Sequence, residues 1–460
     1  MQINPNSQQA YKLLHDGTLA FSRVELNGLR IDMEYCERKK KFLTRKIEKL
    51  ERDFKASNFH TNWVKAIGKK PNIYSGTQIG YYVYEILKCK MVRFTKSGKG
   101  STDDESLSRL NIPEISILLE IKKLKKIRDT YLESFMREQV NGFLHPNFNL
   151  NLVTTFRSSS DKPNFQNVPK RDKVAKKITR EALYARKGHL LLEADYSGIE
   201  FRIAGCYYED PTMLKYIHDP HSDIHGDIAA RAFFIDNFDK KIGNNSYFRS
   251  AAKNGFVFPQ LYGSWYKRCA INLACEWGGL LEKESWKKGQ GKLINGVPLA
   301  DHFRVHKITN LAKYTEHIQT VEEYYWNDIF KTGKAWQVNA WKAYQKKGFV
   351  DSFTGFRYQG QMSINNVLNY PIQGAAFHCL LWSFIEMNKL LMKYKFDSQI
   401  VGQIHDAIIF DVLPDELESL QALIRKVTCQ DLLEAFPWIN VPLDIEIEMA
   451  GVDESWNEMK

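Results

Sequence analysis

The chain has 460 residues, 43% of them hydrophobic, which is enough to bury a large core built from several subdomains. Its 65 lysine and arginine residues outnumber its 54 aspartate and glutamate residues, so the net charge is +11 and the pI is about 9.0. Such a chain attracts polyanions and binds them with a strong dependence on salt, although basic composition alone does not prove a nucleic-acid ligand.

Cysteine use and hydropathy exclude two further classes of protein. The seven cysteines are dispersed without a C-x-x-C pair, which argues against a disulfide framework or a zinc site and predicts reduced thiols. No secretion signal is evident, and no apolar run approaches the roughly 20 residues that cross a bilayer. We therefore expect a soluble, cytoplasmic protein with no membrane partner.

The first third of the chain is predicted to be mainly helical. Residues 33–56 are charged, with apolar residues at helical spacing, and predict a long exposed helix. Residues 66–104 are rich in Gly, Lys and Ser and predict loops around a shorter helix near 78–88. A second basic helix is predicted over 122–135, after Pro113, and a solvated face is the simplest explanation of its many lysines.

Two later segments predict strands that carry a carboxylate. Residues 189–195 form a short apolar run that ends in Asp195, as in a buried strand. Residues 399–412 consist of two β-rich halves around a histidine and Asp406, which predicts a hairpin with the carboxylate at its bend. Both aspartates are therefore expected at strand ends.

The remaining segments predict helices and one insertion. Residues 321–347 and 375–396 have the composition of helices. Residues 276–310 are rich in Gly, Lys and Trp and lack a clear period, so we interpret them as an insertion.

Three segments contain residues suited to nucleotide chemistry: DYSGIE (195–200), RSAAKNGFVFPQLYG (249–263) and QIHD (403–406). Two aspartates on neighbouring strands can hold two divalent cations about 4 Å apart, and hard oxygen ligands suit Mg²⁺. Arg249 and Lys253 lie four residues apart, on one helix face, and could neutralise a triphosphate. Each signal is weak alone, because strand-end aspartates are usually turn or cap residues and such Arg/Lys pairs are usually surface residues.

In this order, the three segments resemble motifs A, B and C of the family A DNA polymerases. The resemblance extends to other segments of the chain, at residues 25–32, 156–169, 222–233, 369–380 and 451–460. It implies an α+β protein with the right-hand polymerase fold: an antiparallel palm sheet, helical fingers and a helical thumb. The implied division is an N-terminal stub (1–16), the thumb with the start of the palm (17–140), palm with motif A (141–205), fingers with motif B and the insertion at about 276–310 (206–375), and palm with motif C and the C-terminus (376–460).

The resemblance also implies an activity: template-directed, DNA-dependent addition of dNTPs to a primer 3′ end. Asp195 and Asp406 would hold two Mg²⁺ ions, for which Mn²⁺ can substitute, and the backbone at Tyr196 would complete the coordination. Lys253 would contact the triphosphate and donate a proton to pyrophosphate. The other implied nucleotide contacts are Arg249 and His225 at the phosphates, Phe258 at the sugar, Tyr262 at the templating position and Glu200 at C2′.

DNA contacts follow from the same resemblance. The implied readers of the minor groove are Arg157, Asn164, Gln166 and Gln373, and His405 would lie against the primer terminus. Glu200 would leave no room for a 2′-hydroxyl, which predicts strong preference for dNTPs. The simplest alternative for Glu200 is a carboxylate that stabilises a helix start.

The chain departs from the family pattern in motifs B and C. Lys253 and Tyr262 are nine residues apart, one more than two four-residue steps allow. A π-bulge next to Pro259 can absorb the extra residue, and we favour Phe258 over Phe256 as the aromatic that packs on the sugar. Motif C has Ala407 where the family commonly has Glu, and Asn365 occupies a position where Arg is frequent.

Only about 16 residues precede the predicted thumb, so we expect neither a 3′–5′ nor a 5′–3′ exonuclease. This suggests a phage or mobile-element polymerase in a bacterial or phage-infected cell, with primer–template DNA and dNTPs as ligands and with a separate exonuclease, helicase or processivity factor. The alternatives are a single-subunit RNA polymerase, a reverse transcriptase, and an inactive DNA-binding or replisome scaffold protein. Glu200 argues against the first, and the joint presence of Asp195, Asp406, Arg249 and Lys253 argues against the last.

Overall fold

A four-stranded antiparallel sheet, here named the palm sheet, positions both predicted aspartates. Asp195 lies in one of its strands, and Asp406 lies in the turn between two others. Its strands, in chain order, are β1 (Leu190–Tyr196), β2 (Gln399–Ile404), β3 (Ala407–Val412) and β4 (Ile445–Met449). Their spatial order is β2-β3-β1-β4. The computed structural model describes residues 7–91, 94–95, 97–110, 112–170, 172–281 and 285–460.

The two faces of the palm sheet pack into different cores, because successive side chains of a strand point to opposite faces. Leu190 and Leu192 of β1 belong to a core shared with the fingers helices and the helix over 364–393. Leu191 belongs to a second core, shared with the predicted thumb. Burial on both faces accounts for the continuous apolar run from which the strand was predicted.

The predicted thumb helices are present, with one difference in extent. The helix predicted over 33–56 is confirmed as Met33–Ala56, and the side chain of Asp32 caps it by accepting a hydrogen bond from the N–H of Tyr35. The helix predicted over 122–135 lies within a longer helical run that starts at Pro113, a residue suited to the first turn. The helical segments, some of them π-helical, are Asn58–Ile67, Gly76–Gly80, Tyr81–Ile86, Asp104–Ser108, Pro113–Lys125, Lys126–Leu132 and Glu133–Glu138.

Two long helices cross predicted domain boundaries. The helix Ser7–Asn27 contains the boundary between residues 16 and 17 and packs through Phe21, whose ring centroid lies 4.4 Å from that of Phe384. Phe384 belongs to the helix Ile364–Lys393, which contains the boundary between residues 375 and 376. The helix predicted over 375–396 therefore begins earlier than expected and includes Pro371.

The predicted fingers are helical, and residues 321–347, which were predicted to be helical, are so except at Phe330. The helical run is interrupted at Phe330. This residue is fully buried, and its ring centroid lies 4.8 Å from that of Tyr325. The next helix, Lys331–Lys347, is capped by Asp210, whose Oδ2 accepts hydrogen bonds from the N–H groups of Thr332 (2.9 Å) and Gly333 (3.2 Å). The remaining helical segments of this region are Ile199–Tyr208, Pro211–His218, Ile224–Phe233, Asn245–Ala252, Lys253–Val257, Phe258–Leu261, Tyr266–Ala270, Ile271–Trp277, Leu299–Val305, Leu311–Glu323 and Tyr324–Ile329.

Short elements complete the described part of the chain. The remaining strands are Leu29–Ile31, Phe143–Leu144, Asn147–Asn149, Ser159–Asp161, Leu183–Tyr184, Leu293–Ile294, Val297–Pro298, Phe349–Asp351 and Arg357–Gln359. The remaining helical segments are Phe165–Asn167, Lys173–Arg180, Pro414–Glu416, Leu417–Lys426, Val427–Asp431, Leu432–Ala435 and Trp456–Glu458. Among these described helices, none combines the length and the apolar character needed to span a membrane.

Candidate active site

Strand register places the two predicted metal-binding aspartates side by side. Asp195 on β1 pairs with Ala407, the first residue of β3, and the N–H of Tyr196 donates to the carbonyl of Asp406 at 3.2 Å. His405 and Asp406 form the two-residue turn between β2 and β3, and His405 has the left-handed backbone (φ +52°) that tight hairpin turns require. The predicted hairpin is thus confirmed.

Each aspartate has a basic side chain beside it. Lys170 Nζ lies 3.1 Å from Asp195 Oδ2, and Arg157 Nη2 lies 3.4 Å from Asp406 Oδ1. Burial raises the pKa of Asp195, and the negative charge of Asp406 adds to this, whereas Lys170 lowers the pKa. The two carboxylates are therefore close enough to repel each other, and the chain itself supplies the opposite charge.

This donor set fits a divalent cation. Two neighbouring carboxylates offer hard oxygen ligands, and a bound cation would relieve their repulsion. Tyr196 could contribute only its backbone, because its hydroxyl is buried and lies 2.8 Å from Ser383 Oγ. In the described ranges there is no cluster of three or more His, Cys, Asp or Glu residues that could enclose a metal. Mg²⁺ held by one or two carboxylates commonly takes its other ligands from water and substrate phosphates.

Glu200 lies beside the aspartates, at the start of the helix Ile199–Tyr208. Its carboxylate accepts a hydrogen bond from Arg157 Nη1 at 2.8 Å and another from the hydroxyl of Tyr262. Burial raises the pKa of Glu200, and the charge of Asp406 adds to the effect, whereas Arg157 and a hydrogen bond from Gln373 lower it. Glu200 therefore does more than stabilise a helix start, because it joins the palm to the fingers.

Arg249 and Lys253 are the basic side chains of motif B. Arg249 Nε donates to Asp223 Oδ2 at 2.7 Å. The side chain of Lys253, one turn later, forms no hydrogen bond or ion pair with any residue that the structure describes, and its Nζ lies 5.5 Å from the centroid of the Phe258 ring. Burial lowers the pKa of Lys253, the charge of Arg249 lowers it further, and the charges of Glu446 and Asp195 raise it. Asp195 is therefore near enough for its charge to act on Lys253.

His225 is neutral in this setting. Burial lowers its pKa to about 3, with further contributions from the charges of Arg249 and Lys253. Its Nδ1 is buried without a hydrogen-bond partner among the described residues, as is Oδ1 of Asp223. A neutral imidazole can donate a hydrogen bond from this nitrogen, so His225 fits a phosphate oxygen as its partner.

A π-helical turn absorbs the extra residue of motif B. The segment Lys253–Val257 is π-helical, and the N–H of Phe258 donates to the carbonyl of Lys253. Phe256 is fully buried and packs against Tyr325, with ring centroids 5.4 Å apart. The Phe258 ring instead stacks on Tyr262 at 6.2 Å and lies 6.0 Å from His225. Of the two candidates, Phe258 is the one whose ring lies among the predicted site residues.

The predicted DNA contacts are only partly brought together. Arg157 and Gln373 lie against Glu200, and His405 is exposed at the turn beside Asp406. The side-chain amide of Gln166 donates to Ser158 Oγ (2.7 Å) and Gln403 Oε1 (2.8 Å). Asn164 caps a short helix by accepting from the N–H of Asn167 at 3.2 Å.

Sequence reasoning missed three polar residues of this site. Gln403 opens the QIHD segment and Lys170 directly follows the segment 156–169, but the contacts of both residues arise only from tertiary packing. Asp223 lies in the 222–233 segment, which contains the predicted site residue His225. Its closeness to His225 in sequence was the one signal available for it.

The profile of DNA polymerase family A matches residues 38–278 and 307–458, which include all three motifs. The chain belongs to DNA polymerase family A. The unmatched residues 279–306 lie inside the segment predicted as an insertion. Family A polymerases generally use divalent metal ions, in agreement with the donor set of Asp195 and Asp406.

Two relatives illustrate the family likeness. The chain is 28% identical to DNA polymerase I of Synechocystis sp. over 449 residues, covering 95% of this chain and 41% of that protein. It is 27% identical to the thermostable DNA polymerase I of Thermus filiformis over 458 residues, covering 95% of this chain and 47% of that protein. The chain thus spans less than half the length of these family A relatives.

A solved structure has the same fold. The polymerase domain of Pol1 from M. smegmatis, in complex with DNA primer–template and dNTP, matches with a TM-score of 0.73 and 22% identity. The match covers 96% of this chain and 70% of that chain. The α+β right-hand fold predicted from the motifs is thereby confirmed.

Proposed function

We propose that this chain is a template-directed, DNA-dependent DNA polymerase that adds dNTPs to a primer 3′ end, with primer–template DNA and dNTPs as its ligands. The observation that carries the proposal is that Asp195 and Asp406 lie side by side at the ends of paired palm strands, with Lys253 of motif B near enough to feel the charge of Asp195. The M. smegmatis relative of the same fold, which holds a primer–template and a dNTP, adds support.

In this proposal Asp195, Asp406 and the backbone at Tyr196 hold two Mg²⁺ ions, for which Mn²⁺ can substitute. Bound ions would supply Lewis acidity at the primer hydroxyl and at the triphosphate. Arg249 and neutral His225 bind the phosphates. Lys253 donates a proton to the leaving pyrophosphate, and the lowered pKa of Lys253 favours that transfer near neutral pH.

The other residues select the substrate. Glu200 closes over C2′ of the incoming sugar, Phe258 packs on that sugar, and Tyr262 occupies the templating position until the nucleotide binds. The hydrogen bond from Tyr262 to Glu200 supports this, because it links the template side of the site to the sugar side. Arg157, Asn164, Gln166 and Gln373 read the minor groove, and His405 contacts the primer terminus.

The test is primer extension on a recessed DNA duplex with Mg²⁺, comparing dNTPs with rNTPs. We expect extension with dNTPs and its loss in Asp406→Ala, because the metal site then retains one carboxylate. Asp415→Ala, an exposed aspartate in the short segment Pro414–Glu416, is the matched control and should keep wild-type activity.

Other outcomes would change the assignment. Efficient extension with rNTPs would favour the single-subunit RNA polymerase and remove the role given to Glu200. No extension with either set would favour a DNA-binding or scaffold protein. The absence of exonuclease activity, the cytoplasmic location and the phage origin stay predictions, and release of a labelled 3′ nucleotide in the same assay would contradict the first.

A further inference from the structure

Lys170 touches the metal-binding face of the palm sheet but lies outside the three motifs. Its Nζ lies 3.1 Å from Asp195 Oδ2 and 3.3 Å from Glu193 Oε1. Asp195 and Glu193 are two residues apart on β1, so their side chains share one face of the sheet. The lysine therefore bridges two carboxylates on the face that the metal ions would use.

Of these two carboxylates, Glu193 has other partners. Trp456 Nε1 donates to Glu193 Oε2 at 3.2 Å, and Arg180 Nη1 lies 3.6 Å from the same oxygen. Glu193 is almost fully buried, whereas the Lys170 side chain is 54% exposed. The ion pair with Lys170 is therefore an addition to an already neutralised glutamate.

Asp195 is the carboxylate that depends on Lys170. Within the described ranges, Lys170 is the one basic side chain that forms an ion pair with Asp195. The nearby Arg157 forms an ion pair with Asp406 instead. The Asp195 oxygen that Lys170 contacts belongs to the carboxylate assigned to the metal. A divalent ion and an ammonium group cannot share it without mutual repulsion.

We propose that Lys170 is an internal counter-ion that neutralises Asp195 before metal binds and competes with the divalent cation, so that it sets the metal affinity of the site. This inference rests on the proposed function in one respect, the assignment of Asp195 as a metal ligand. The Lys170 side chain is long and more than half exposed, so it can move into solvent when the cation enters. Lys170 is thus a positioning residue that acts through Asp195.

The experiment measures Mn²⁺ binding to the full chain without DNA or nucleotide, from the electron paramagnetic resonance signal of free Mn²⁺. Lys170→Met should bind Mn²⁺ about tenfold more tightly, because one positive charge a few ångströms from a divalent ion is removed from a partly solvated site. Lys170→Arg keeps the charge and should resemble the wild type. Lys173→Met removes a nearby exposed charge without touching Asp195 and is the matched control.

Thermal unfolding supplies a second readout. Without metal, Lys170→Met should melt at a lower temperature than the wild type, since Asp195 and Asp406 then repel each other with less compensation. Mn²⁺ should raise its melting temperature more than that of the wild type. Lys170→Gln is the second variant, used if Lys170→Met does not fold.

Mn²⁺ affinity that is unchanged or weaker in both uncharged variants would overturn the inference. If the wild type extends primers but these variants bind Mn²⁺ as the wild type does, only the role of Lys170 fails. If no protein extends primers and the variants still bind Mn²⁺ more tightly, the counter-ion role holds and the polymerase assignment fails.

Discussion

The palm and fingers halves of the site differ in how their charges are balanced. On the palm, Asp195 and Asp406 each have a basic side chain within 3.4 Å. On the fingers, Arg249 is paired, but in the described part of the chain Lys253 has no ion-pair partner and Nδ1 of His225 is buried without a hydrogen-bond partner. The acidic half is compensated by the chain, whereas the basic half retains charge and hydrogen-bonding capacity for an anion.

The largest expected effect comes from breaking the basic half. Lys253→Ala should lower kcat for single-nucleotide addition by about a hundredfold to a thousandfold, because it removes both a charge at the triphosphate and a proton donor. Rapid-quench kinetics with one dNTP checks this. Lys253→Arg keeps the charge and should lose less, and a rate for Lys253→Ala within threefold of the wild type would contradict the role.

The pH dependence of the rate of nucleotide addition tests the same role of Lys253. Burial lowers the pKa of Lys253, so its protonated form disappears at a lower pH than an ordinary lysine would. We therefore expect the wild-type rate to fall as the pH rises through that lowered pKa. In Lys253→Arg the fall should move to higher pH, because arginine stays protonated, and identical alkaline limbs in the two proteins would exclude Lys253 as the titrating group.

A smaller effect is expected where the halves meet. Glu200→Ala should shift the ratio of dNTP to rNTP incorporation toward rNTPs by about a hundredfold, because the space beside C2′ opens and Tyr262 loses its acceptor. Competitive single-nucleotide incorporation measures the ratio. Glu200→Gln keeps the size of the side chain and should keep most of the selectivity, so equal relaxation in both variants would refute a steric gate.

Substitution of Phe258 in motif B is expected to change nucleotide discrimination more modestly. Phe258→Tyr should reduce discrimination against dideoxynucleotides by about tenfold, since the new hydroxyl can replace one lost hydrogen bond. Chain-termination patterns with mixed dNTPs and ddNTPs measure this. Phe256→Tyr is the control: its hydroxyl would enter the core beside Tyr325 and should lower stability without changing termination.

The smallest expected effect on catalysis comes from packing behind the palm half. A Cβ at Gly374 would overlap the hydroxyl of Tyr358 and approach the carbonyl of Thr155 to 3.0 Å. Gly374→Ala should therefore cost about 1–3 kcal/mol of stability, measured by thermal or denaturant unfolding. Adding Tyr358→Phe removes the overlapping hydroxyl and should recover part of the loss, and a Gly374→Ala protein as stable as the wild type would show that the helix shifts freely.

Local patterns predicted some elements well and failed where distant residues intervene. The strand Leu190–Tyr196 and the helix Met33–Ala56 depend on apolar spacing and capping within a few residues. At Phe330 the helical residues 321–347 are interrupted, and Asp210 caps the following helix from far away in the chain. No pattern near residue 330 indicates that contact, so the interruption was not predicted.

The sequence by itself determined the family, the two strand aspartates, the basic residues of motif B and the presence of one extra residue within that motif. These features follow from residue identity and short-range spacing, which do not depend on how distant segments pack. Only the tertiary structure decided the ion pairs: Lys170 with Asp195, Arg157 with Asp406, and Asp223 with Arg249. The physical reason is that such pairs form between segments joined only by packing, and packing also turned Phe256 into the core and Phe258 toward the site.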